Sequence, residues 1–131
     1  NNYCVILNKL ERYEEAIDIA DKALSIDPDS AETYTNKANA LEKLGSIDKA
    51  LECYDKALKI NPNIVDVWLS KANALKDYER FDEALECYKK ALTHFPHNPD
   101  ILYYMSTLYL INGDMENSFK CLNESHKYSD N

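Results

Sequence analysis

Three prolines, Pro28, Pro62 and Pro96, stand 34 residues apart, and each closes a segment of the same design. Asp27-Pro28-Asp29, Asn61-Pro62-Asn63 and Phe95-Pro96-His97 follow the pairs Ala23-Leu24, Ala57-Leu58 and Ala91-Leu92. A fixed period of about 34 residues points to a stacked helical repeat, in which a unit buries its apolar face only against its neighbours. The period divides a single solenoid domain, residues 1–131, into units near 1–30 (truncated), 31–64, 65–98 and 99–131 (divergent). Such a stack offers partners a long continuous surface, not a closed catalytic pocket.

Within the second unit, Tyr34, Ala38, Leu41 and Leu44 recur at helical spacing and form one apolar stripe. Asp29, three residues before Glu32, is expected to cap that helix. Gly45 is expected to end it in a left-handed turn. A second helix follows, with Ala50, Leu51, Tyr54, Ala57 and Leu58 inward and the pairs Glu52–Lys56 and Asp55–Lys59 outward. The third unit repeats the plan with Trp68, Ala72 and Leu75, then Phe81, Ala84, Leu85, Tyr88, Ala91 and Leu92. Helices are predicted near 14–26, 31–44, 47–60, 65–78, 81–94, 99–112 and 115–128, with residues 1–10 finishing a truncated one. Alanine at 16, 50 and 84 lets paired helices approach closely.

The fourth unit departs from its own pattern. Asn98-Pro99 leads into a helix that is apolar nearly all round, from Ile101 to Ile111. Gly113 keeps the turn, but Ser118 and Ser125 replace alanines, no proline closes the unit, and Lys120–Glu124 reverses the favourable charge order.

These residues resemble the tetratricopeptide repeat, whose pattern is aromatic-x-x-Leu-Gly-x-x-Tyr, Ala-x-x-x-aromatic, Ala and Pro. The chain offers Tyr34, Lys37, Ala38, Leu41, Ala50, Tyr54, Ala57 and Pro62, then Trp68, Lys71, Ala72, Leu75, Ala84, Tyr88, Ala91 and Pro96. It departs at Lys37 and Lys71, where the family has leucine; their aliphatic stems are expected along the helix interface. The resemblance implies an all-α, right-handed α-solenoid superhelix of tandem helix-turn-helix repeats. It also implies a protein–protein interaction scaffold that binds a peptide or protein in a concave groove lined by the first helices. Matching groove positions gives Thr35, Asn36, Asn39, Glu42 and Lys43, then Leu69, Ser70, Asn73, Lys76 and Asp77. Asn39 and Asn73 are equivalent and expected about 10 Å apart, roughly three residues of extended chain. Removing either carboxamide is expected to weaken a ligand and leave stability nearly unchanged.

One family subset grips chaperone C-terminal carboxylates with lysines, asparagines and an arginine. Its pattern falls here on Thr35, Asn39, Ser70, Asp100 and Tyr104, or one unit earlier on Asn1, Val5, Asn36, Asp66 and Ser70. Only Asn39 agrees in the first register and the second does no better, so that clamp is not expected. Tyr103, Tyr104, Leu110 and Ile111 should form an apolar patch on the groove side, as an interaction site or under a further capping helix. Alternatives to a scaffold are a regulatory or substrate-presenting region of a larger enzyme, or self-association through the fourth unit.

Net charge is −8 and no unit is net basic, which argues against phosphate-backbone binding and anionic membranes. No apolar run approaches the roughly 18 residues of a membrane span. Cys53, Cys87 and Cys121 share one repeat position, so stacking holds them about 8–10 Å apart, beyond the ~7 Å that a disulfide tolerates. Free thiols in a reducing, cytoplasmic setting are expected of these and of Cys4. His94 and His97 read as solvated turn residues. No cofactor or metal is expected, and no catalytic constellation is present. Beginning at Asn1 and partway into a repeat, the sequence reads as a piece of a longer protein.

Overall fold

A computed structural model describes residues 12–129 of the chain. Seven helices and no strand occur among the described residues: α1 (Tyr13–Ile26), α2 (Ala31–Lys43), α3 (Ile47–Ile60), α4 (Val65–Asp77), α5 (Phe81–His94), α6 (Pro99–Ile111) and α7 (Met115–Ser129). Each predicted helix is found within a residue at either end. The truncated helix expected over residues 1–10 lies outside the described residues. The chain divides into two compact units, Asn1–Ser70 and Lys71–Asn131.

Local chemistry sets the helix ends. Asp27 and Asn61 accept the backbone N–H of Asp29 and Asn63 across their prolines, at 3.3 and 3.0 Å, and tighten each inter-repeat turn. Ser30, not Asp29, caps α2: its Oγ accepts the Thr33 N–H at 3.2 Å. The reason is register. The helix begins at Ala31, so the N3 donor belongs to Thr33 and the residue in reach is Ser30. Asn98 caps α6 by accepting from Asp100 and Ile101 at 2.9 and 3.1 Å, with Pro99 at the first helical position. Asp114 starts α7 by accepting from the Asn117 backbone and side chain, which holds its carboxyl below the usual range.

The turn inside each hairpin needs a left-handed residue, supplied by Gly45 (φ 89°), Glu79 (φ 61°) and Gly113 (φ 80°). The following N–H then reaches back five residues: Ser46 to Leu41, Arg80 to Leu75 and Asp114 to Tyr109, at 2.9, 2.9 and 2.8 Å. Glu79 is the only non-glycine with positive φ among the described residues. The left-handed conformation costs an L-residue about 1–2 kcal/mol. Glu79→Gly should therefore raise stability by about 1 kcal/mol after glycine's added unfolded-state entropy is subtracted. A urea midpoint that stays put or falls would show that the Glu79 side chain makes up the difference.

Alanine carries the core. Ala16, Ala50 and Ala84 have 0% exposure, as do Ala20, Ala38, Ala57, Ala72 and Ala91. In the first unit Tyr13, Ile17 and Ile19 pack on a core of Ala16, Ala20 and Ala40, which joins α1 to α2. In the last hairpin the hydroxyls that replace alanine methyls find acceptors across the pair. Ser118 donates to the Ser106 carbonyl and Ser125 to the Pro99 carbonyl, each at 2.8 Å. Lys120 pairs at 3.7 Å with Glu116, not with Glu124, so the last helix keeps the favourable acid-before-base order. The expectation of a reversed pair overlooked the acid one turn earlier. Cys53, Cys87 and Cys121 are free thiols, and burial raises the pKa of Cys53 and Cys121.

Candidate functional site

In the second compact unit the fold gathers four of the predicted groove residues around one buried tyrosine. Tyr88, on α5, has 0% exposure, and its hydroxyl donates to Asn73 Oδ1 on α4. Its ring stacks on Tyr104 of α6, with centroids 6.0 Å apart and planes 13° apart. Lys76 Nζ lies 5.6 Å from the Tyr104 ring centroid, within cation–π range. Tyr103 meets Tyr104 edge-on at 5.8 Å and is itself 53% exposed. Burial pushes the Tyr88 phenol well above its usual pKa, with smaller contributions from Cys87, Tyr104 and Asp77. Tyr104 is half-buried in this stack, unlike the open patch residue expected from sequence. The physical reason is the aromatic pair: an apolar ring beside Tyr88 gains more by stacking than by facing water.

The first compact unit repeats the polar part. Tyr54, 1% exposed on α3, donates its hydroxyl to Asn39 Oδ1 on α2. Thr35 and Asn36 line a cavity of about 290 Å³ with Glu32, Ile64, Asp66 and Val67. The Thr35 hydroxyl is turned back to the Ala31 carbonyl at 2.8 Å, and Asn36 is buried. Leu69 and Ser70 are half-buried on α4 and do not line that cavity. Lys43 stands exposed at the end of α2, 3.8 Å from Glu42.

Removing the Asn73 carboxamide would take away the acceptor of a buried hydroxyl, which costs about 1–3 kcal/mol. The expectation that asparagine loss leaves stability unchanged is thus corrected. Asn73 is a structural pin between α4 and α5.

Two further cavities were not anticipated. One, of about 350 Å³, lies between α1, α2 and α3, with Lys37, Leu41, Glu52, Cys53 and Lys56 facing Ile17 and Asp21. Its counterpart in the other unit, about 240 Å³, is lined by Lys71, Leu75, Glu83, Glu86, Cys87 and Lys90. The sequence signal was the departure at Lys37 and Lys71, a long polar chain where an apolar one would fill space. Lys37 reaches Asp21 at 2.7 Å, and this bond holds its pKa above the usual lysine value. The pair's contribution is present below that usual value and fades as pH rises through the raised one. With Asp21 half exposed it is worth about 0.5 kcal/mol. Lys56 meanwhile sits 5.7 Å from the Tyr34 ring centroid. Among the described residues no group of three or more His, Cys, Asp or Glu side chains could hold a metal ion. His97 lies 4.5 Å from the Tyr128 ring, centroid to centroid. No described helix is long and apolar enough to cross a membrane.

Tandem helix hairpins with alanine seams, left-handed turns and a recurring Asn–Tyr pair define an all-α repeat protein. A tetratricopeptide repeat family model matches residues 31–64 and again 65–98, and a second TPR repeat model matches residues 6–45. The chain belongs to the tetratricopeptide repeat family, whose members are in general protein-interaction scaffolds. The first model's two matches coincide with the two units that follow the pattern most closely.

No curated protein shows a significant sequence match to the chain. Among solved structures, "Crystal structure of MamA" is similar at TM-score 0.85 and 17% identity, over 97% of this chain and 74% of that one. "Crystal structure of MamA protein" gives 0.83 and 17%, over 97% and 69%. "MamA MSR-1 C2" gives 0.77 and 19%, over 97% and 73%. At these identities the likeness concerns the fold.

Proposed function

We propose that the chain is an interaction scaffold that holds an extended peptide segment of a protein partner against its first helices. The observation that carries this reading is the meeting of Asn73, Lys76, Tyr103 and Tyr104 around Tyr88. An amide, an ammonium and an exposed ring offer a segment hydrogen bonds, charge and an apolar anchor within one small area. Family membership supports the same direction, and the acidic chain disfavours nucleic acid. The free thiols of Cys53, Cys87 and Cys121, the first two buried, support a reducing, cytoplasmic setting. No catalytic role is proposed.

The test is selection of linear peptides from a random displayed library, followed by affinity measurement with the synthetic peptides. Tyr103→Ala and Lys76→Ala should each weaken binding at least about fivefold, the scale of one lost anchor or charged contact, without moving the melting curve. Failure to enrich any peptide, or equal binding to both variants, would count against the groove.

A second reading, self-association, is favoured by exposed Leu110, Ile111, Met115 and Phe119 around the last hairpin turn.

A further inference from the structure

We propose that the cavity between α2 and α4 in the first compact unit binds the side chain of a lysine from a partner, with the stem against Ile64 and Val67 and the ammonium held by Glu32 and Asp66. The site is distinct from the Tyr88 cluster of the second unit. The inference rests on the scaffold reading only for the source of that lysine.

At about 290 Å³ the cavity is small for a drug-sized ligand and suits a single long side chain. Its walls divide by chemistry. Val67 is 2% exposed and Ile64 is half-buried, which gives an apolar lining. The Thr35 hydroxyl is already taken up by the Ala31 carbonyl. The rim carries charge of one sign: Glu32 and Asp66 are both exposed, and each is the second residue of its helix. The positive end of the helix dipole favours an ionised carboxylate there. Among the described residues no basic side chain lines the cavity, and neither carboxylate has an ion pair or hydrogen bond.

The choice of occupant follows from the chain's own use of the same chemistry. In the 350 Å³ cavity of this unit, Ile17 and Leu41 form the apolar wall, and Asp21 supplies a carboxylate that Lys37 meets at 2.7 Å. Acids elsewhere are matched in the same way, Glu15 by Arg12 and Glu83 by Arg80. The cavity at Glu32 and Asp66 has the wall and the carboxylates without the cation. A lysine supplies what is missing: its methylenes lie along apolar surface, and its compact, three-donor head reaches acids on two helices. Arginine's planar fork is better suited to the two oxygens of one carboxylate. A divalent cation needs more ligands than two carboxylates supply, and no metal-holding group of three or more His, Cys, Asp or Glu side chains stands among the described residues. The net charge of −8 draws a cationic segment toward the chain.

The test titrates the chain with Nα-acetyl-lysine methylamide and follows the methyl signals of Thr35, Ile64 and Val67 by NMR. These should move to saturation with a Kd on the order of 1–10 mM, the scale for a ligand of this size. Nα-acetyl-norleucine methylamide keeps the stem and lacks the charge, so it should bind at least about threefold more weakly. The arginine analogue should bind no tighter than the lysine one. Glu32→Gln combined with Asp66→Asn should reduce the lysine analogue to the norleucine level and leave helicity unchanged, because both carboxylates are exposed. Asp66→Glu keeps the charge and should retain the binding.

Equal binding of the lysine and norleucine analogues overturns the proposal, since the cavity would then accept any apolar stem. A double variant that binds the lysine analogue as the parent does, or methyl signals that stay still well above that Kd range, overturns it too. A tighter arginine analogue overturns the choice of lysine. Lysine binding together with a failed peptide selection would remove the peptide-groove reading and leave the cavity assignment standing. A successful selection with unmoved methyl signals would keep the groove and remove this site.

Discussion

Ala84→Leu is expected to lower stability by about 1–3 kcal/mol, the usual cost of forcing extra methylenes into a packed site. Ala84 is on α5 with 0% exposure, and α5 packs against α6 in the same compact unit. A leucine there either pushes the helices apart or takes a strained rotamer. Separating them would disturb the stack of Tyr88 on Tyr104 as well. In a protein of this size such a loss lowers the melting midpoint by several degrees. Ala50→Leu should behave alike in the other unit, where Ala50 is equally enclosed. Ser118→Ala provides the contrast. It removes one hydrogen bond to the Ser106 carbonyl and restores the alanine of the other units, so it should cost only about 0.5–1.5 kcal/mol. If Ala84→Leu melts with the parent protein, the helix seam has room that its zero exposure denies.

The alanine seam was legible in the sequence because it recurs every 34 residues, and so were the helix limits, marked by proline at the same interval and by glycine at two of the three hairpin turns. What the period could not disclose was pairing between positions within a unit. Asn39–Tyr54 and Asn73–Tyr88 join residues 15 apart on different helices. Helical spacing relates residues three or four apart on one helix and is silent across a turn. The capping error at Asp29 had a similar origin, since two adjacent residues, Asp29 and Ser30, both favour the cap. Only the true start of the helix at Ala31 decides between them. Tyr104 was placed correctly on α6, but its exposure depended on Tyr88 from the preceding helix. Glu79 is the opposite case. It occupies the glycine position of the turn, and its left-handed backbone follows from the repeat even though its side chain argues against it.

The exposed end of the last hairpin leads to the second large effect, loss of self-association on substitution. Met115 and Phe119 are 65% and 66% exposed, and Leu110 and Ile111 are 54% and 50% exposed. In the first compact unit the residues at the positions of Met115 and Phe119 are Tyr13 and Ile17, which pack on a core that includes Ala40 of the following helix. The last hairpin keeps the apolar side chains and, among the described residues, has no following helix. Fully burying one such side chain contributes about 1.5–3 kcal/mol. Four of them, offset by lost rigid-body freedom, suit association with a Kd on the order of 0.1 mM. Sedimentation over a concentration series should therefore show a monomer shifting to larger species. Phe119→Lys with Ile111→Lys should remove that shift and leave helicity unchanged, because both residues face water in the single chain. Tyr104 is the wrong residue to change, since its ring supports Tyr88 and any loss would mix packing with association. A chain that stays monomeric at millimolar concentration excludes self-association through this face. A double-lysine variant that loses helicity would instead place Phe119 and Ile111 in the core, contrary to their exposure.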